Sequence, residues 1–334
     1  MTWVALRPIS AITVRDGRSF DAGNAATASH VFPRPSTVAG AIGAALGGDF
    51  ESCVGPFPCR FDETFSELLL PWPRDLLVEG TRVQRGELRR VEPGLSDLSL
   101  EAMLHGRGES PNGWIPSRFL ADYLNGLPIR PRSESVATTE VRVGLWREDG
   151  RTATDAYLYS AENMVLGDDV ELVADVVMPE SSKLAELVRL GGEARLCSVS
   201  MPENVGPLPA VPSGGFPDGR LLLYLATPAV FPTGSMPPLP PGCRPIAAVI
   251  SGPETIATMG IATAGRFARA GVRELRQGVG AGSVYFLQFS SADDAIRWAN
   301  DWHGRALTFG DSDFDRLSSA GFNVVLTGVW DWPA

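Results

Sequence analysis

An α+β chain of two tandem βαββαβ units, the first widened by long loop and hairpin insertions, is the architecture this sequence predicts. Three observations predict it. Segments of strand character, rich in β-branched and aromatic residues, recur in both halves. Each half also holds a segment of helical spacing. Between the two series lies a Pro- and Gly-rich stretch with scarcely any charge, residues 202–219, which reads as a linker. The 334 residues, 44% hydrophobic and 20% charged, suffice for two cores of ordinary size, so two domains are expected, 1–205 and 220–334.

Residues 3–14 read as the opening strand, and 15–24 as a turn-prone loop. A helix begins at Pro35-Ser36-Thr37, since proline suits a first helical position whose N–H has no partner anyway. Val38, Ile42 and Leu46 recur every four residues on one face, while Gly40, Ala41, Gly43 and Ala45 keep the others small enough to approach a sheet. Residues 49–151 are dense in Pro, Gly and Arg with little sustained period, and are expected to be insertions between core elements. Runs at 140–146 and 156–159, joined across Glu148-Asp149-Gly150, predict a β-hairpin. A strand at 170–178, a short helix at 182–190 stopped by Gly191-Gly192, and a strand at 194–200 complete the first unit. With the hairpin as its inner strands, this order is that of a ferredoxin-like (RRM-like) fold.

The second series has strands at 221–226, 245–250, 283–289 and 322–330. A helix at 291–302 carries clear signals: Ser291 and Asp294 have the spacing of a capping box, and Ala295, Trp298, Ala299 and Trp302 follow the helical period. The first helix of this half is placed within 253–271.

Charge and cysteine usage narrow the chemistry. A net charge of −10 is awkward for a nucleic-acid ligand, so its distribution matters more than its sum. Acids gather at 165–193 and 293–315, whereas Arg82, Arg85, Arg89 and Arg90 face only Glu87 in their segment, and Arg266, Arg269, Arg273 and Arg276 only Glu274. Lys183 is the sole lysine; every other cation is arginine, whose planar fork suits phosphate and stacked bases. Cys53, Cys59, Cys197 and Cys243 are scattered, without C-x-x-C or a neighbouring histidine, and read as free thiols of a reducing compartment rather than a zinc site. No apolar run approaches the roughly 20 residues that cross a bilayer, and Arg7-Pro8 breaks the opening segment too soon for a signal peptide, so a cytoplasmic protein without membrane contact is expected.

Motifs of catalysis are weak. Gly278-Val279-Gly280-Ala281-Gly282-Ser283 has the glycines of a phosphate loop, but lacks the Lys-Ser/Thr of a P-loop and precedes a strand where a dinucleotide fingerprint would follow one. On local grounds it reads first as a glycine turn. The pairs Asp168-Asp169 and Asp293-Asp294 read as solvated acids, and no metal or cofactor is expected. His30, in Ser29-His30-Val31-Phe32-Pro33-Arg34 just before the first helix, could meet an RNA phosphate as a donor or as an acid/base.

The order of these pieces resembles the third subunit of type III-B CRISPR (Cmr) effector complexes, in the RAMP superfamily. Arg15-Asp16-Gly17-Arg18-Ser19-Phe20 is similar to that family's R-D-G-R-P-F, with Ser19 in place of proline. Phe32-Pro33-Arg34-Pro35-Ser36-Thr37-Val38-Ala39-Gly40 resembles F-P-x-P-S-T-x-A-G, and Gly191-Gly192-Glu193-Ala194-Arg195 resembles G-G-E-x-R. Glu140 to Leu145 with Thr154 to Tyr159 and Glu162 resembles the family hairpin, Thr227-Pro228-Ala229 its T-P-A, and Ala281 to Phe286 its P-A-G-S-V-Y-F with Gly280 for the proline. Ala264-Gly265-Arg266-Phe267 departs from the usual G-W-D.

The resemblance implies two tandem ferredoxin-like domains and a subunit that holds the 5′ handle of the guide RNA (crRNA) without cutting it. It also implies contacts to the large polymerase/cyclase-like subunit and to a backbone subunit. The RNA contacts expected on this basis are Arg15, Arg18, His30, Arg34, Ser36, Arg142, Arg266, Arg269, Gly278, Gly280, Gly282 and Ser283. Alternatives from other classes are a metal-independent endoribonuclease using His30, and a purely architectural subunit; the handle-binding subunit of type III-A complexes is the related family.

Overall fold

The computed structural model describes residues 2–14, 27–28, 31–62, 65–92, 100–131, 133–147, 153–257 and 275–332. Strand β1 (Thr2–Pro8) is followed by β2 (Thr27–Ala28), helix α1 (Pro35–Leu46), β3 (Ser52–Phe61) and β4 (Ser66–Pro71). Four short strands form two ribbons, β5 (Leu76–Glu79) with β6 (Arg82–Arg85), and β7 (Glu87–Arg90) with β8 (Ala102–His105). Next come β9 (Trp114–Pro116), α2 (Ser117–Leu124), β10 (Ala137–Arg147), β11 (Ala153–Leu166), β12 (Val170–Val177), β13 (Leu187–Arg189) and β14 (Leu196–Ser200). The second half holds β15 (Arg220–Leu225), β16 (Arg244–Ala257), β17 (Leu275–Gln288), α3 (Ala292–Trp302), β18 (Arg305–Ala306), α4 (Ser312–Ser319) and β19 (Val324–Val329).

Two antiparallel sheets carry the architecture, in the orders β13-β14-β1-β12-β3-β4-β9 and β16-β17-β15-β19-β18. Period-two alternation divides the first sheet between two cores. Val4 and Leu6 on β1, with Leu172, Ala174 and Val176 on β12, turn to α1 and meet Val38 and Ile42. Ala5 and Val173 turn the other way, into a core shared with Leu222 and Tyr224 of β15 and Phe286 of β17. The Tyr224 hydroxyl donates to the Pro71 carbonyl at 2.6 Å, fixing that contact with a hydrogen bond. Since burying one large apolar side chain contributes about 1.5–3 kcal/mol, this shared core is the main cohesion between the sheets.

At the same junction Asp75 is fully buried. Its Oδ1 accepts from the Tyr123 hydroxyl at 2.6 Å, and Arg85 Nε lies 3.1 Å from its Oδ2. The Arg85 guanidinium covers the Tyr123 ring at 4.3 Å and donates to the carbonyls of Val329 on β19 and Tyr123 on α2. Three elements from two halves thus meet on one arginine.

Several expectations are corrected. The helix expected at 182–190 is not formed: β13 occupies 187–189 and pairs with β14. Val188 and Leu190 are buried while Leu187 and Arg189 are exposed, a period of two that edge pairing satisfies and a lone helical turn would not. Residues 49–151 are not merely insertions, because β3 is an interior strand with Phe57 and Cys59 wholly buried. Its Gly55, Pro56 and Pro58 disguise it; a bulge opposite Val173–Asp175 takes up an extra residue there. The hairpin β10–β11 forms as expected but belongs to a separate three-stranded sheet with β2, so the places expected for its strands are taken by β12, which pairs with β1, and by β3 beyond it. Its turn at 148–150, like the 15–24 loop, lies outside the described residues.

In the second half α3 starts as expected, the Ser291 hydroxyl accepting from the Asp294 N–H at 3.1 Å. The first helix placed within 253–271 is contradicted over 253–257, where β16 continues; the rest lies outside the described residues. Residues 202–219 are packed rather than free: Phe216 is buried, and His303 Nε2 is 2.6 Å from the Pro209 carbonyl. Helices α2 and α4 carried no expectation. Among the described residues, no helix is long and apolar enough to cross a membrane.

Candidate nucleic-acid interface

Arg34 holds the N-cap position of α1 in an extended conformation (φ −72°, ψ 157°), and its side chain makes no capping bond. Its carbonyl does the local work, accepting from the N–H groups of Thr37 and Val38 at 2.9 and 3.2 Å. The guanidinium is therefore free to reach across to the second half, where Nη1 donates to the Thr255 carbonyl of β16 at 2.5 Å. A cleft of about 480 Å³ opens at this junction, within the range of ordinary ligand pockets.

The cleft is lined by Arg74 as well. Its backbone N–H bonds to the Gly282 carbonyl at 2.9 Å and its Nη1 to Asn112 Oδ1 at 3.0 Å, while its Nε is buried without a hydrogen-bond partner among the described residues. Glu254 lines the same space and makes no hydrogen bond among the described residues. Burial pushes its carboxyl above the ordinary range, and the charges of Arg34 and Arg74 pull it back. Phe32 and Trp114 add apolar wall, their rings 4.6 Å apart and tilted by 52°. The result is a small compartment holding two permanent cations, one carboxylate and two aromatic rings.

The glycine run, expected as a turn, sits inside β17. Its glycines answer to packing. A Cβ at Gly280 would lie 2.7 Å from Ser251 Oγ and 2.8 Å from Glu254 Oε1; a glycine here leaves room for that carboxylate. Gly282 has φ +84°, and a Cβ there would lie 2.4 Å from the Trp72 carbonyl oxygen. Ser283 is fully buried, its hydroxyl donating to the Gly280 carbonyl at 2.6 Å and accepting from the Ser251 N–H at 2.8 Å. Gly278 is buried against the Ala229 carbonyl and Ile256, and only Ala281 of the run lines the cleft.

Of the other expected contacts, Ser36 lies two residues beyond Arg34, in the first turn of α1, and outside the cleft lining. Arg142 is exposed on the separate β10–β11 sheet and pairs with Glu140 at 2.5 Å. Arg15, Arg18, His30, Arg266 and Arg269 lie outside the described residues. Of the expected contacts among the described residues, Arg34 alone lines the cleft, Gly280 backs Glu254, and Arg142 lies elsewhere. Arg74, Trp114 and Glu254 were missed, for want of any local signal: two fall in the aperiodic 49–151 stretch, and the third in a segment expected to be helical.

Two antiparallel sheets on one shared core define an α+β fold that recurs in solved structures. A chain in the cryo-electron microscopy structure of type III-B Cmr-beta bound to cognate target RNA and AMPPnP superposes with a TM-score of 0.54 at 15% identity, over 97% of this chain and 95% of that one. A second structure, type III-B Cmr-beta bound to cognate target RNA, gives 0.53 at 14% identity, over 97% and 96%. These likenesses establish the fold. Residues 4–330 match the family model of the CRISPR-associated protein Cas_Cmr3, and the chain belongs to that family. No curated protein matches the sequence.

Proposed function

We propose that the chain is a guide-RNA-binding, non-catalytic subunit of a type III-B CRISPR complex, holding the crRNA 5′ handle at the cleft between its two sheets. Family membership supports the setting. The observation that carries the site is the convergence of Arg34 and Arg74, both from the first half, on one cleft whose other wall comes from the second. A guanidinium offers several N–H donors in a planar fork and no acceptor, which suits holding a phosphate. Arg15, Arg18, His30, Arg266 and Arg269 extend the same anchoring surface in this proposal, and Gly280 serves it by leaving space.

The architecture is read as two ferredoxin-like units, 1–205 and 220–334. In support, the orders β14-β1-β12-β3 and β19-β15-β17-β16 both place the first core strand between the last and the third. The large polymerase/cyclase-like subunit and a backbone subunit are the proposed protein partners, meeting acidic faces such as 165–193.

The test is a salt titration of handle-bearing guide RNA binding by the assembled complex, with wild type and Arg34→Ala/Arg74→Ala. Each lost single-strand phosphate contact lowers the log–log slope by about 0.7, so the double variant should lose about 1.4. An unchanged slope and affinity would remove the cleft from the RNA path.

A further inference from the structure

The cleft contains one group that a phosphate site would be better without. Glu254 shares the cleft with Arg34 and Arg74 and repels any phosphate they attract, yet among the described residues its oxygens make no hydrogen bond. Gly280 keeps a side chain off Glu254 Oε1, so the backbone of β17 accommodates the carboxylate where it stands. A carboxylate accepts hydrogen bonds and donates none. Among RNA groups, the complements to a bidentate acceptor are adjacent N–H donors on a base edge, and unstacked bases in protein sites are read on such edges while they stack on aromatic rings. Phe32 and Trp114 supply those rings in the same compartment.

We infer that Glu254 is a base-reading residue: the cleft takes one unstacked nucleobase whose edge presents adjacent N–H donors, guanine first, against Phe32 and Trp114. Arg34 and Arg74 then hold the phosphates flanking that nucleotide. This inference rests on the proposal that the cleft binds RNA, and deepens it from backbone anchoring to recognition of one base. Guanine alone offers N1–H and N2–H side by side; adenine and uracil present an acceptor at one of the equivalent places.

The probes are single-stranded guide RNAs carrying the handle, each with one handle base replaced, bound by assembled complexes containing the full-length chain, wild type or Glu254→Gln. Wild type should discriminate at a single handle position by about tenfold to a hundredfold, as expected for one bidentate base contact. Glu254→Gln should erase most of that discrimination while leaving substitutions at the other positions unaffected. Phe32→Leu, which removes a ring but keeps apolar bulk, should weaken binding of every base at that position alike.

Equal weakening by Glu254→Gln for all the RNAs would overturn the inference, because it would mean the carboxylate only orders the two arginines. Altered assembly with unaltered base preference would overturn it too, and point to a protein segment in the cleft. If Arg34→Ala/Arg74→Ala lowers the salt slope but base preference survives Glu254→Gln, RNA anchoring stands and base reading fails. If neither changes anything, both fail. Melting curves of each variant separate these results from loss of fold.

Discussion

Replacing Arg85 with methionine tests the account of how the two halves are joined. Asp75 has no exposure, so a charge left there alone cannot rehydrate. Removing one partner of a buried ion pair costs about 3–5 kcal/mol, chiefly through the stranded charge. Arg85 keeps a quarter of its side chain exposed, and the Tyr123 hydroxyl still donates to Asp75 Oδ1 in the variant, so the lower part of that range is expected. The deficit should also depend on pH in a defined direction. Burial already pushes the Asp75 carboxyl above its ordinary value, and Arg85 is the first of the influences that pull it down. Without the arginine, the folded variant takes up a proton more readily than its unfolded chain does. Its stability therefore rises as pH falls, and the deficit against wild type shrinks. Urea midpoints at about pH 8 and about pH 5, with slopes checked for constancy, read both quantities. A deficit below about 1 kcal/mol, or one that does not change with pH, would refute the claim that Arg85 neutralises a buried charge.

Other consequences follow from the same geometry. Gly282→Ala should destabilise by more than about 1 kcal/mol, because a Cβ would collide with the Trp72 carbonyl at a φ of +84°; thermal melting with no shift would contradict it. Ser283→Ala strands the Ser251 N–H and should cost about 1–3 kcal/mol, measured the same way, without any selective effect on RNA affinity. Burial holds the His303 imidazole below its ordinary value, against the pull of its bond to Pro209, so its neutral form is the stabilising one. That contribution is complete above the unfolded value near 6.5 and is lost as pH falls through it, so the wild-type advantage over His303→Gln should decline on acidification. Burial pushes Cys53, Cys59 and Cys243 up to about 12 and Cys197 to about 11, so a thiol reagent at about pH 8 should react slowly with the native chain and with all four cysteines after unfolding.

Where local chemistry decides, the sequence was readable. The Pro35 start of α1, the Ser291 cap of α3, the β10–β11 hairpin and the β12 strand each follow from residues within a few positions of one another. Where distant pairing decides, it was not. Residues 187–189 adopt a strand because β14 offers an edge, and no count of helical spacing contains β14. The strand β3 carries two prolines that argue against an interior position, and only the bulge opposite β12 reconciles them. The cleft shows the same division. Arg34 was identifiable beside its helix start, but Arg74, Trp114 and Glu254 reach it from three other places in the chain, and only the folded arrangement makes them neighbours.

The core shared by Phe57, Leu68 and Leu70 with Leu222, Tyr224 and Phe286 has a consequence for how the protein is made. On the ribosome, β1 through β14 emerge before β15, and until it arrives the part of the first sheet's face that Leu222, Tyr224 and Phe286 cover stays open. A chain ending near residue 205 should therefore expose apolar surface that the full-length protein buries, which dye binding to the truncated protein would read. The last pairing partner of β15, the strand β19, is also the last strand to leave the ribosome, so the second sheet closes only at the end of synthesis.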